Sequence, residues 1–363
     1  MGRTGHADLR LCTGFVPQYK EIVALGGALL EYLVDEIGTA ETLRRLSDPI
    51  WFEAMASAMG FEWQFSGATT VTMRALAEAI KGKEETLGLW IVGGKGNNAR
   101  TVNKVPEDLK EPDITTTKVD SALIQDGYQI YFHAVLWDEK QRWAVINQGM
   151  NTEKKLARRY HWNWEAGVFL NDVVNVAGNP EKIVLDLQTK QSEENRRAVM
   201  DILHDEPPQR IKYKILSLRR RPGQMTLATY FGEVEVQWMP YAFKIPSKIN
   251  EEALRIAKDA ESFLDIIRTP GMGPSTIRGL SFLAALVYGA PASWKDPVKY
   301  TYAFGTKAGK PWMVEREEMR RAAEFIRSAV SEAKIGNKTK KKAMKRLSRI
   351  LEEDQRARTV IRT

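Results

Sequence analysis

The sequence predicts an α+β fold, with an N-terminal helical region packed on a central mixed or antiparallel sheet and a helical C-terminal domain after it. Three observations lead there. Apolar residues recur at helical spacing from about Tyr19 to Lys83, short aromatic and β-branched runs replace them between Leu89 and Asn147, and helical spacing returns beyond Asn250. The corresponding divisions are residues 1–86, 87–248 and 249–363, and a chain of 363 residues has the length for two or three such units.

In the first region Val23, Leu25, Leu29, Leu30 and Leu33 mark one helix that stops at Gly38. Thr39 is expected to cap the next, and Ser47-Asp48-Pro49 starts a third that carries Trp51, Phe52, Met55 and Met59 as core. Leu89 to Val92 then reads as a buried strand running into Gly93-Gly94-Lys95-Gly96-Asn97-Asn98. A glycine-rich loop with a lysine after a strand can cradle a phosphate through its N–H groups, although a simple turn explains it as well. It lacks the Gly-Lys-Ser/Thr of a Walker loop, so no nucleotide or organic cofactor is expected.

Tyr128 to Trp137 and Trp143 to Asn147 read as a hairpin about Asp138-Glu139-Lys140. Counting across that turn brings His133 beside Asn147, to within one residue of register. Asp126-Gly127 opens the first strand and Gln148-Gly149-Met150-Asn151 closes the second, so both polar clusters fall near one end of the ribbon. Next comes Ala157-Arg158-Arg159-Tyr160-His161-Trp162, a pattern suited to phosphate neutralisation by Arg158, Arg159 and His161 with aromatic stacking between them. Further on, Glu193, Glu194, Arg196 and Arg197 suggest a solvated helix, and Arg219-Arg220-Arg221-Pro222-Gly223 a basic loop.

In the C-terminal region Pro270-Gly271-Met272-Gly273 separates two apolar runs. Pro274 presets the first helical φ, Ser275 and Thr276 occupy the first turn, and Ile277, Leu280, Phe282, Leu283 and Leu286 give an apolar face. The amides at the start of that helix form an anion site. The segment resembles the helix-hairpin-helix motif of DNA repair and recombination proteins, which grips a duplex backbone without reading sequence. On that resemblance Gly271, Met272, Gly273, Ser275 and Thr276 would meet the phosphate, flanked by Arg268 and Arg278. An ordinary αα-hairpin is the alternative.

The net charge is +8, and between Ser331 and Thr363 eleven Lys or Arg stand against four Asp or Glu. That basic, amphipathic tail fits a polyanion or, alternatively, a solvated terminal helix. No apolar run reaches the roughly 20 residues of a membrane span, and no signal-peptide pattern opens the chain, so no membrane partner and a cytoplasmic location are expected. One cysteine, Cys12, excludes an internal disulfide and a thiolate zinc site; a carboxylate-bound Mg²⁺ or Mn²⁺ stays open.

Arg3-Thr4-Gly5, Ala7-Asp8-Leu9, Arg45-Leu46-Ser47-Asp48-Pro49 with Trp51-Phe52, Gly93-Gly94-Lys95-Gly96, Gln125-Asp126-Gly127, Gln148-Gly149-Met150-Asn151 and Ala157 to Trp162 together resemble the domain-of-unknown-function family seven hundred and sixty-three, found mainly in archaea and thermophilic bacteria. The family pattern often has His-Gly after Ala-Asp-Leu, where this chain has Cys12-Thr13-Gly14. The resemblance carries no activity. From the residues, the leading expectation is a metal-dependent, structure-recognising DNA nuclease or repair factor. Asp8, Asp120 and Asp126 are the candidate metal carboxylates, and Lys95, His133 and Gln148 the residues that would orient water. Against it, no Asp…Glu-x-Lys arrangement follows Asp126, and each residue also has a structural reading. The alternative is a non-catalytic DNA- or RNA-binding or ribosome-associated factor.

Overall fold

The computed structural model describes residues 19–60, 67–167, 169–218, 244, 246–300, 316–333, 336–337 and 339–345, with backbone alone for 316–323. A mixed α+β architecture results, as the residue patterns predict. Helix α1 (Tyr19–Leu46) is broken at Gly38, whose φ of 74° and ψ of 167° no helix accommodates. Thr39 does not cap the second half; its hydroxyl donates to the Asp138 carboxylate at 3.0 Å. Helix α2 (Pro49–Met59) begins as expected. The Asp48 carboxylate accepts from the Ile50 and Trp51 amides, Pro49 fills the first position, and Gly60 ends the helix at φ 109°. Helix α3 (Gly67–Ile80) and the single turn α4 (Glu84–Leu87) complete the first region.

Six strands form the main sheet. They are β1 (Leu89–Lys95), β3 (Gln129–Asp138), β4 (Trp143–Asn151), β5 (Leu156–Asn163), β6 (Asn175–Ala177) and β8 (Val298–Tyr300), in that spatial order. All neighbours are antiparallel except β6 and β8. Strands β2 (Ile124–Gln125) and β7 (Leu185–Asp186) pair separately. Between β1 and β2 the chain forms α5 (Lys110–Lys118) and a π turn at Val119–Leu123. Later helices are α6 (Glu193–Asp205), α7 (Pro208–Ser217), α8 (Glu251–Ile256), α9 (Phe263–Arg268), α10 (Pro274–Val287) and α11 (Arg316–Glu332).

Strand period two sorts the sheet's side chains to two faces. Phe132, Ala134, Leu136, Ala144 and Ile146 pack with Leu29, Leu30, Phe52, Met55 and Leu76 of the N-terminal helices. Val135, Trp137, Trp143, Val145 and Trp162 meet Val199, Leu203, Ile277, Leu280 and Leu283 on the other side. The sheet thus lies between two helical layers. The chain's regions interleave, because β8 joins the central sheet and α11 packs on α1 and α2. Helix α6 is not solvated all round: Arg196 is buried and donates to the Leu187 and Thr189 carbonyls at 2.8 and 2.7 Å.

A buried ion pair ties the N-terminal layer to the sheet, with Arg159 of β5 on Glu53 of α2 at 2.6 Å and its guanidinium over the Phe52 ring. Burial pushes the Glu53 carboxyl up while Arg159 opposes that shift. Replacing Glu53 by Ala takes this carboxylate from a buried cation, so chemical denaturation of Glu53→Ala is expected to show a loss of about 3–5 kcal/mol.

Candidate functional site

The β3–β4 register places His133 opposite Asn147 and Phe132 opposite Gln148. That register divides the polar residues of the two strands between the faces. His133 and Asn147 face α5 and the π turn, together with Asp120, Asp126, Arg158 and Tyr160. Arg159 and His161 face the N-terminal helices, where His161 meets the Phe52 ring edge-on. The structure therefore does not bring all the sequence candidates together. Gln148 donates to the Tyr131 hydroxyl, and Lys95 holds its ammonium 5.6 Å from the Tyr131 ring centre. Asp8, the basic Arg219–Arg221 loop and most of the basic tail lie outside the described residues.

On the first face the polar groups form a chain. Asp113 and Thr101 flank His133 Nε2 at 2.5 and 2.8 Å, Thr101 also donates to Asp113, and Asn147 Oδ1 and Thr117 Oγ1 stand 2.5 and 3.2 Å from His133 Nδ1. Asn147 Nδ2 donates to Asp120 at 2.7 Å, and Trp162 Nε1 donates to the same carboxyl at 3.0 Å. The Asp120 hydrogen bond sets the Asn147 amide so that its oxygen faces the imidazole. Both His133 nitrogens consequently have an acceptor within hydrogen-bond distance, Asn147 Oδ1 at Nδ1 and Asp113 at Nε2.

Asp126 belongs to a second group. Its carboxylate accepts from the Tyr128 amide (2.9 Å), Arg158 (2.9 Å) and the Tyr160 hydroxyl (2.7 Å), and Arg158 is shared with Asp296 and the Asn179 carbonyl. All four oxygens of Asp120 and Asp126 thus already accept hydrogen bonds from the protein. Burial drives the Asp126 carboxyl up and Arg158 opposes it. His161 is held well below its ordinary value by burial and by the neighbouring Arg159, so it stays neutral.

A cavity of about 580 Å³ opens at the end of the ribbon where the sequence concentrates its polar clusters. Three local irregularities border it. The π turn contributes Ser121, a register bulge between Ile130 and Phe132 sets out Tyr131, and the Asp126-Gly127 turn passes through φ 88° at Gly127. Gly96 closes one side, and Gly93 before it sits at φ 138°, where a Cβ would stand 2.3 Å from the His133 carbonyl oxygen. His133 and Thr117 form part of the wall.

Pro274 lines the same cavity, which brings the glycine turn to it. Helix α9 opens with a capping box between Ser262 and Asp265. Pro270 and Gly271 are then the centre of a turn closed by the Met272 amide on the Thr269 carbonyl at 3.0 Å, with Gly271 at φ 80°. The two glycines are not equivalent. A Cβ on Gly271 would stand 2.3 Å from Asn250 Nδ2, whereas one on Gly273 would meet none of the described residues within 4 Å. Met272 is fully buried, and its carbonyl accepts from Lys118. Thr276 is buried and Ser275 half-buried. Arg278 points inward, onto Gln125 and the Lys244 carbonyl, while Arg268 bonds Thr115, Glu111 and Asp265. Gln125 in turn donates to the Ala122 and Pro274 carbonyls at 2.9 Å, fixing α10 against the cavity.

Sequence reading missed Asp113, Thr101, Tyr131 and Asp296 as members of these networks. None sits in a local pattern that marks it; their partners lie 20, 32, 17 and 138 residues away.

Burial raises the Asp120 carboxyl from 3.8 to about 8, against the opposing hydrogen bonds of Asn147 and Trp162. The folded protein then binds a proton that the unfolded chain has released above about pH 4, so this contribution to stability is complete below that pH and lost as pH rises towards the folded value. Urea unfolding of Asp120→Asn across that window is expected to remove a decline of up to about 1.4 kcal/mol per pH unit.

Among the described residues no helix is long and apolar enough to cross a membrane. No curated protein and no solved structure matches the chain. The model of one family, described as "protein of unknown function (DUF763)", matches residues 5–314, a span that takes in every strand of the sheet, both polar networks and the glycine turn. The chain belongs to that family.

Proposed function

We propose that the protein binds the sugar–phosphate backbone of a nucleic acid, DNA in the first place, at the start of α10. One observation carries the reading: Gly273 and Pro274 begin a 14-residue helix at the edge of the cavity, and no described residue stands within 4 Å of where a Gly273 Cβ would lie, which suits an approaching phosphate. The first amides of that helix lack intrahelical partners and sit at its positive end, so an anion there is favoured by hydrogen bonds and dipole together. An overall charge of +8 supports association with a polyanion.

In its enzymatic form the reading is a structure-recognising nuclease or repair factor that uses Mg²⁺ or Mn²⁺. Asp120 and Asp126 would then have to exchange hydrogen bonds with Trp162, Asn147, Arg158 and Tyr160 for metal ligation. Binding needs no such rearrangement, and it is the part of the reading that the geometry supports best.

Gly273→Ala isolates the phosphate contact, because its Cβ meets none of the described residues within 4 Å and would occupy the space over the helix start. Fluorescence anisotropy with labelled single-stranded, duplex, flap and branched DNA and with RNA is expected to give salt-dependent binding that Gly273→Ala weakens about tenfold, a loss of about 1.4 kcal/mol. Its unfolding midpoint should stay near that of the parent. Gly271→Ala, strained at φ 80° and against Asn250, should instead lower stability by about 1–3 kcal/mol. Equal binding by Gly273→Ala and its parent would sink the proposal. Denaturing gels of the same mixtures with Mg²⁺, Mn²⁺ or EDTA decide whether the bound strand is cut.

A further inference from the structure

We propose that the cavity beside the start of α10 receives one unstacked base of the strand whose backbone that helix holds. The inference rests on the backbone-binding reading and adds a second subsite to it. The volume of about 580 Å³ lies within the range of small-ligand sites, roughly 300–1,000 Å³, and suits a single nucleotide.

The chemistry of the wall selects a base over a second phosphate. Among the described residues the lining includes no Asp, Glu, Lys or Arg. The lining residues offer the ring of half-buried Tyr131, the hydroxyls of Thr117 and Ser121 and the amide of Gln129, on a background of Ile124, Ile130 and buried Tyr128. Flat heteroaromatic rings with donor and acceptor edges match such a surface, because any base can stack on an aromatic face. A phosphate or carboxylate meets no Lys or Arg among the described lining residues.

Placement reinforces the match. The bulge sets Tyr131 apart from the regular alternation of β3, and Lys95 stands over its ring at the exposed tip of β1, next to the glycine loop. Tyr128 is clamped by its hydroxyl bond to Glu181 at 3.0 Å and by the Arg158 guanidinium 4.8 Å from its ring centre. Buried in this way, Tyr128 holds the wall in place, and a preformed wall lowers the entropic cost of receiving a base. Positive charge is thus supplied at the rim, by Lys95 and the α10 terminus, and neutral stacking surface within.

A base stacked in an intact duplex cannot reach a cavity of this kind; it has to leave the stack. The cost is least at a mismatch, a damaged position or a single strand. Such positions are therefore the favoured targets, which supplies structure recognition without sequence readout.

The test uses the full chain with duplexes carrying 2-aminopurine opposite a mismatched base and, separately, the matched duplex. Anisotropy of an end label reports backbone binding, and 2-aminopurine emission reports unstacking of the base. Emission from the mismatched duplex is expected to rise several-fold over the same protein range as anisotropy. Ala99→Trp, which fills the half-buried mouth of the cavity, should abolish the emission change while anisotropy still reports binding. Tyr131→Leu should weaken binding of the mismatched duplex about tenfold relative to the matched one. Anisotropy binding with no emission change, or an emission change that survives in Ala99→Trp, overturns the inference and leaves backbone binding standing. Adenosine monophosphate that suppresses the emission change at concentrations comparable to the duplex makes a free nucleotide the occupant and also overturns it. No anisotropy change with any duplex overturns the backbone reading as well.

Discussion

The register between β3 and β4 is the constraint on which the rest of the structure depends. A slip of one residue would carry His133 and Asn147 into the layer of Leu29, Phe52 and Met55, and would set Phe132 and Ile146 against Asp113 and Asp120. His133, Asn147, Asp113 and Asp120 would then lose hydrogen bonds to one another, at a cost of about 1–3 kcal/mol for each group left unsatisfied. The polar residues specify the register as firmly as the apolar ones do.

That register has to hold because so much charge is placed inside. Asp113, Asp120, Asp126, Arg158 and Arg159 are all buried, and each has hydrogen-bonding or ionic partners from other elements. Isolated, any one of them would be strongly unfavourable in this environment. Joined into networks they link α2, α5, the π turn, three strands and the Asp296 segment. The ordering of these polar groups fixes the walls of the cavity, so its shape is set before any ligand arrives. Preformed walls reduce the ordering that binding must otherwise impose.

The glycines divide into two kinds. Gly93, Gly127 and Gly271 hold positive φ where the chain turns or passes close to another segment, and they serve the fold. Gly273 has an ordinary extended backbone, with φ −106° and ψ 175°, and none of the described residues lies within 4 Å of where its Cβ would stand. Among the described residues neither backbone angle nor close approach demands a glycine there, which sets Gly273 apart from the glycines of the turns.

Several parts of this protein were legible in the residues alone. Asp48-Pro49 starting α2, the halt at Gly38, the hairpin about Asp138 with His133 beside Asn147, and the proline start of α10 all follow from local rules of φ, capping and period. The family could be read from motifs that stay contiguous in sequence. Tertiary structure alone decided which side chains meet. Arg158 and Arg159 are neighbours in sequence, yet strand alternation sends one to Asp126 and Asp296 and the other to Glu53, so neither lies open on the surface as their sequence pattern suggested. The Glu193–Arg197 run looked solvated until Arg196 found two carbonyls of the preceding loop. Asp113 gave no local signal, since its partner His133 comes from a strand beyond the π turn. Sequence fixes period, turns and caps because those depend on residues within one or two turns of each other. The polar networks and the cavity depend on contacts between distant segments, and only packing both faces of the sheet brings those segments together.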